Sequence, residues 1–248
     1  NIAIAVAAEV VADVNSNLNS CNSMVAQISA FRSCMTPLIQ SLAQRAFRVP
    51  VSQTEVTPLV DIAVATPGKD GVSDAIASIL VSPRFLFHVI NYTANRSGQM
   101  HTLSQYEFAS RLSYLIWSSI PDQELMTLAA NGQLMQPPII SSQINRMLRD
   151  VKGQEFVKSF PAQWLKYRLV GAATRDLALT PEFTPTFKTA IVKEAELLFS
   201  DILLNGLPVD NIATSNYTFV NRELAGFYGL TFPNSTSEFA KVNLDTSM

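Results

Sequence analysis

The chain has 248 residues, 15% of them charged and 48% apolar, with a formal net charge of −2. An ordinary soluble domain carries about 25% charged residues, so few charges are available here for the surface. The charge balance, without a basic run, excludes an electrostatic nucleic-acid footprint, and the apolar content excludes disorder. The longest apolar run, Ile2 to Val14, is interrupted by Glu9 and Asp13 and is too short to span a bilayer.

In chain order, Ile2, Val6, Val10 and Val14 form a helical stripe that predicts a helix over 2–17. An Asn/Ser-rich loop over 15–23 carries Cys21, and helices over 25–32 and 37–47 follow, the latter closed by Pro50. Ser52 and Glu55 form a capping box that opens a helix to about residue 65. Pro67-Gly68 and Asp70-Gly71 mark a turn before a helix over 74–80, and Ser82-Pro83 restarts one over 84–90. The polar stretch 95–102 reads as a linker between segments 1–94 and 103–248.

A second capping box, Ser104 and Glu107, opens a helix over 105–117; Pro121 and Asp122 start the next, which Gly132 ends. Pro137-Pro138 leads into a helix ending near Arg149. A helix over 154–167 contains Pro161, which predicts a kink or break. Thr184-Pro185 starts the longest helix, 186–205, and a short extended segment over 216–220 precedes a last helix over 222–228. Residues 231–244 alternate weakly, as a strand does. The predicted class is mainly α, a multi-helix orthogonal or bundle-like array with short irregular connections and at most one or two short strands near the C-terminus. With no initiator Met and no signal-peptide pattern, the sequence reads as a piece of something longer.

Few residues carry a chemical signal. Cys21 and Cys34 lie 13 apart, outside any haem or zinc spacing; they form either a disulfide between neighbouring helices or two buried free thiols. A disulfide implies an oxidising compartment. Arg45, Arg48, Arg84 and Arg111 sit in apolar strings, where arginine needs a partner. Ion pairs or helix-end contacts with Glu107, Asp122, Glu194 or Asp201 are the first expectation, an anion or carboxylate-substrate site the second. Glu194 and Asp201 share a helix face about 10 Å apart, which does not forbid a glycosidic acid/base pair at roughly 5–10 Å, though carboxylates on an amphipathic helix are far more often solvated or salt-bridged. His88 in an apolar run is a packed histidine or, alternatively, an axial ligand to a haem supplied in trans. Phe156, Phe160, Trp164 and Tyr167 form a helical aromatic stripe, read as core or as a contact for a partner or sugar. No grouping has metal-ligand spacing, and the sequons at Asn91, Asn95, Asn216 and Asn234 read as chance in an Asn/Ser/Thr-rich chain.

Several strings recur together in one known architecture: Gln44 to Pro50 with Glu55, Ile79 to Phe87, Phe108 to Asp122, Gln163 to Leu165, Tyr217 to Asn221 with Leu224, and Phe227 to Gly229. Together they resemble the planctomycete-type cytochrome-associated secreted proteins, multi-segment proteins of unknown function. The resemblance covers about residues 7–244 and departs from the family at Val49 and His88. It implies a c-type haem in another segment or partner, with no cofactor in this chain, and an extracytoplasmic location supported by a usual cysteine near Cys34. It implies no catalytic residue. The expected function is a non-catalytic helical scaffold of an extracytoplasmic, haem-protein-associated assembly. Its partners are other subunits or segments of its own precursor, with peripheral attachment to a membrane complex also open. A carbohydrate-processing module using Glu194 and Asp201, and an electron-transfer subunit binding haem near His88, are the alternatives.

Overall fold

The structure, a computed structural model, describes residues 21, 23–87, 102–233 and 236–244. The helix expected over 2–17, His88, the sequons at Asn91, Asn95 and Asn234, and all of the linker but Thr102 lie outside them. The fold class is mainly α, with two short antiparallel strands near the C-terminus. The chain forms two compact units, residues 1–145 and 146–248.

In the first unit, α1 (Ile28–Phe47) is one helix of 20 residues through Pro37, where the sequence predicts two helices. Phe31, Met35, Ile39, Leu42 and Ala46 make a continuous buried stripe along it, and its burial outweighs the one ladder bond a proline removes. Helices α2 (Gln53–Ala65) and α3 (Lys69–Leu80) pack with α1 around Val56, Val60, Ala63, Val72, Ala75 and Ile79. The close approach of α3 to the end of α2 depends on Gly71. Its N–H donates to the Thr66 carbonyl at 3.1 Å, and a Cβ there would lie 2.3 Å from that oxygen and 2.4 Å from the Ala63 carbonyl.

A single-turn helix follows, α4 (Pro83–Leu86), capped by the Ser82 hydroxyl. It is shorter than the predicted 84–90. Beyond the undescribed stretch, α5 (Gln105–Trp117) begins at the predicted capping box, with Ser104 N–H on the Glu107 carboxylate at 2.7 Å and Glu107 N–H on Ser104 Oγ at 3.2 Å. Asp122 caps α6 (Gln123–Ala130). The division between the units falls within α7 (Pro137–Arg149).

In the second unit, a 3-10 turn (Val151–Gly153) leads into α8 (Gln154–Trp164), which runs through Pro161 without a break. A second 3-10 segment, Tyr167–Ala172, follows. Thr184 caps the 20-residue α9 (Pro185–Leu204) with a hydrogen bond from the Phe187 N–H. After α10 (Asn211–Thr214), strand β1 (Tyr217–Val220) pairs antiparallel with β2 (Ala240–Asn243), Tyr217 opposite Asn243 and Val220 opposite Ala240. Helix α11 (Arg222–Tyr228) lies between them in sequence. Phe187 and Ala190 of α9 close this core with Val220, Leu224 and Ala225. No described helix is long and apolar enough to cross a membrane.

Candidate functional site

Arg48 is the most heavily committed charge in the first unit. It ends α1 in the left-handed region, with φ 61°, and is 5% exposed. Its guanidinium donates to main-chain carbonyls rather than to a carboxylate: to Arg84 at 2.8 Å, Phe87 at 3.1 Å and Phe85 at 3.3 Å, with the Tyr114 hydroxyl as a further acceptor at 3.3 Å. The last carbonyls of a helix have no partner within it, so the Arg48 fork supplies the C-terminal cap that the short α4 cannot make for itself. The guanidinium also lies 5.7 Å from the centre of the Tyr114 ring.

Arg84 stands 4.8 Å over the Phe47 ring and pairs with Glu55, a carboxylate outside the four expected from the sequence. The Glu55 carboxyl is held below its ordinary range first by the Ser52 N–H, then by the Ser52 hydroxyl, with Arg84 adding to both. This framework presents Leu86 and Phe87 outward, 58% and 64% exposed. Arg111 is exposed on α5, while Glu107 and Asp122 serve helix starts.

Glu194 and Asp201 do project from one helix, α9, but both carboxylates are engaged. Glu194 accepts the Thr218 hydroxyl at 2.5 Å and the Tyr228 hydroxyl at 2.9 Å, tying α9 to β1 and α11. Asp201 pairs with the Lys241 ammonium at 2.9 Å and accepts from the Asn205 amide at 3.0 Å. Burial raises the Asp201 carboxyl, but the Lys241 hydrogen bond and charge together with the neighbouring donors, the Asn205 amide among them, outweigh it and leave it below its ordinary value. The Lys241 ammonium also sits 3.6 Å from the centre of the Tyr217 ring. These partners lie 24 to 40 residues away in sequence, so no local motif points to Thr218, Tyr228 or Lys241.

Two outcomes follow from this arrangement. Glu194→Ala leaves two part-buried hydroxyls without their acceptor and is expected to cost about 2 kcal/mol, read as a lower urea midpoint; Glu194→Gln, which still accepts, is expected to cost less than half of that. The second concerns alkaline pH. Burial, reinforced by the Glu196 charge, pushes the Tyr167 phenol up to about 12, and burial with the Glu194 hydrogen bond pushes Tyr228 up further. Both phenols hold their protons more tightly folded than unfolded. Their contribution is therefore complete below about pH 10 and is lost as pH rises toward 12. Melting temperature should fall over that window, with a shallower fall in Tyr228→Phe.

A cleft of about 630 Å³ in the second unit lies beside the first turns of α9 and is lined by Thr186, Thr189, Lys193, Glu223, Glu238 and Phe239 among others. Neither Glu194 nor Asp201 lines it. Lys193 pairs with Glu196 at 3.3 Å, and Glu223 accepts from the Thr184 and Thr186 hydroxyls at 3.5 and 3.4 Å. Among the described residues no group of three or more His, Cys, Asp or Glu is placed to hold a metal ion. Cys21 and Cys34 form a disulfide with Cα atoms 5.9 Å apart, which points to an oxidising compartment. On α8, Phe156 and Phe160 stack at 5.0 Å and both lean on Phe199 of α9, while Trp164 continues the row with half its surface in solvent.

Two family models match the chain. PSD5, protein of unknown function (DUF1595), matches residues 34–89, and PSD4, protein of unknown function (DUF1592), matches residues 103–230. Both families are typical of planctomycete cytochrome-associated proteins. No curated protein and no solved structure matches. The first match takes in Arg48, Arg84 and the exposed Leu86-Phe87 pair; the second takes in Glu194, Thr218 and Tyr228 and covers more than half of the sequence. The chain belongs to the PSD4 (DUF1592) family of proteins of unknown function.

Proposed function

We propose that this chain is a non-catalytic helical docking module of an extracytoplasmic, haem-protein-associated assembly. The observation that carries the reading is the Arg48 clamp: a buried arginine fixes the backbone of residues 84–87, where two large apolar side chains stand in solvent. Apolar anchors on a rigid turn lose little entropy on binding and are the residues from which interface energy comes. The disulfide supports a location outside the cytoplasm. The engagement of Glu194 by two hydroxyls and of Asp201 by Lys241 favours this reading over carbohydrate processing. Haem bound in trans at His88 rests on the sequence alone.

The test places a photo-crosslinking amino acid at position 87 of the full precursor in its own host. A discrete crosslinked polypeptide, diminished by Arg48→Ala, is the expected result. No crosslink, together with a monomer in native mass spectrometry, would overturn the proposal.

A further inference from the structure

We infer that the corner between α8 and the following 3-10 segment is a contact surface for an anionic lipid membrane. This goes beyond the docking role of the first unit and does not depend on it.

The corner is built to point outward. Lys166 takes the left-handed conformation, φ 62°, and turns the chain sharply. Tyr167 alone points inward, 8% exposed, with its hydroxyl on the Val157 carbonyl at 3.4 Å. Around that anchor Trp164, Leu165 and Leu169 are 52%, 41% and 59% exposed, and Lys166 and Arg168 between them are exposed too. Large apolar side chains and cations thus alternate at one tight turn.

The charge distribution names the partner. From Phe156 to Arg175 the sequence holds four basic residues and no acidic one, in a chain whose net charge is −2. All four, Lys158, Lys166, Arg168 and Arg175, are exposed; Lys158 pairs with Glu155 at 3.3 Å, just outside that stretch, so Lys166 and Arg168 at the turn itself are the cations the contact rests on. A purely anionic partner would leave Trp164, Leu165 and Leu169 in water, and a purely apolar one would strand the cations. A membrane with acidic headgroups satisfies both: the indole and leucines enter the headgroup–acyl boundary while the cations stay among the phosphates. The corner inserts shallowly and spans nothing.

The experiment uses the whole chain with vesicles of equal parts phosphatidylglycerol and phosphatidylcholine, and with pure phosphatidylcholine vesicles. The chain has two tryptophans, and Trp117 is 4% exposed, so a change in emission on binding reports Trp164. Co-sedimentation with the acidic vesicles, a blue-shifted emission and weakening by salt are expected, with little binding to neutral vesicles. Lys166→Glu with Arg168→Glu should lower the partition coefficient by more than about 25-fold, roughly fivefold for each positive charge lost. Trp164→Ala should lower it by about tenfold. Circular dichroism should show both variants folded, since the substituted side chains reach into solvent. Absence of binding to either vesicle, or binding that these variants leave unchanged, would overturn the inference, whatever the outcome at position 87.

Discussion

Arg48→Ala is expected to destabilise the first unit by about 3–5 kcal/mol. The guanidinium satisfies three main-chain carbonyls and one phenol from a position that is 5% exposed. An unsatisfied buried acceptor costs about 1–3 kcal/mol, and partial rehydration of the turn offsets some of the sum. The replacements are expected to rank by mechanism. Lysine keeps the charge but cannot fork toward several carbonyls, so it recovers part of the loss. Glycine loses the clamp yet relieves the left-handed backbone by about 1 kcal/mol, and should fall between lysine and alanine. Hydrogen exchange locates the effect: the N–H groups of Phe85, Leu86 and Phe87 bond to Ser82 and Pro83 and should lose protection before those of α1. A glycine variant more stable than the parent would mean that the clamp contributes nothing.

Breaking the Cys21–Cys34 bond is expected to lower the stability of the same unit by about 3 kcal/mol, the chain-entropy value for a loop closed over 13 residues. Cys21 is fully buried, so the paired Cys21→Ala, Cys34→Ala variant isolates the crosslink better than serine, whose hydroxyl would be buried as well. Denaturant midpoints of oxidised chain, reduced chain and paired variant should place the last two together, well below the first. Equal midpoints for all three would show that the crosslink adds nothing to the packing of the Cys21 and Cys34 side chains. Unfolding of the two units need not be one transition, so the appropriate readout is the Trp117 emission of a Trp164→Phe background, whose one remaining tryptophan lies in the first unit.

Local signals were legible in the sequence wherever the cause was itself local. Ser104 with Glu107 and Thr184-Pro185 start helices within a residue of where the structure has them, while the helix expected to open at Pro121 begins at Gln123, with Asp122 as its cap rather than in its first turn. Proline was misleading at Pro37, because the breaking tendency is local while the buried stripe that overrides it belongs to the tertiary core; α8 likewise runs on through Pro161. The terminal strand was ambiguous for a related reason: Ala240–Asn243 is extended because Tyr217–Val220 is there to pair with it. The need of Arg48 for partners was readable from its apolar setting, but its partners and those of Glu194 were not. Three of the Arg48 acceptors are carbonyls, which every residue has, and the hydroxyls on Glu194 come from elements that only the fold brings near.

The bond between Asp201 and Lys241 also fixes an order of events during synthesis. Helices α1 to α3 close on one another within a short span of chain, so their core can form while most of the protein is still unmade. In the second unit, α9 leaves the ribosome with Asp201 unpaired and with Phe187 and Ala190 uncovered until the residues that pair and cover them, Val220 through Lys241, have followed. For that interval a nascent chain carries a long helix packed on α8 but with its Phe187 face uncovered, the kind of surface that holdase chaperones recognise. Ribosome-bound chains arrested with Thr214 as the last residue outside the exit tunnel should therefore be protease-sensitive in the first turns of α9, and those arrested after Leu244 has emerged should not.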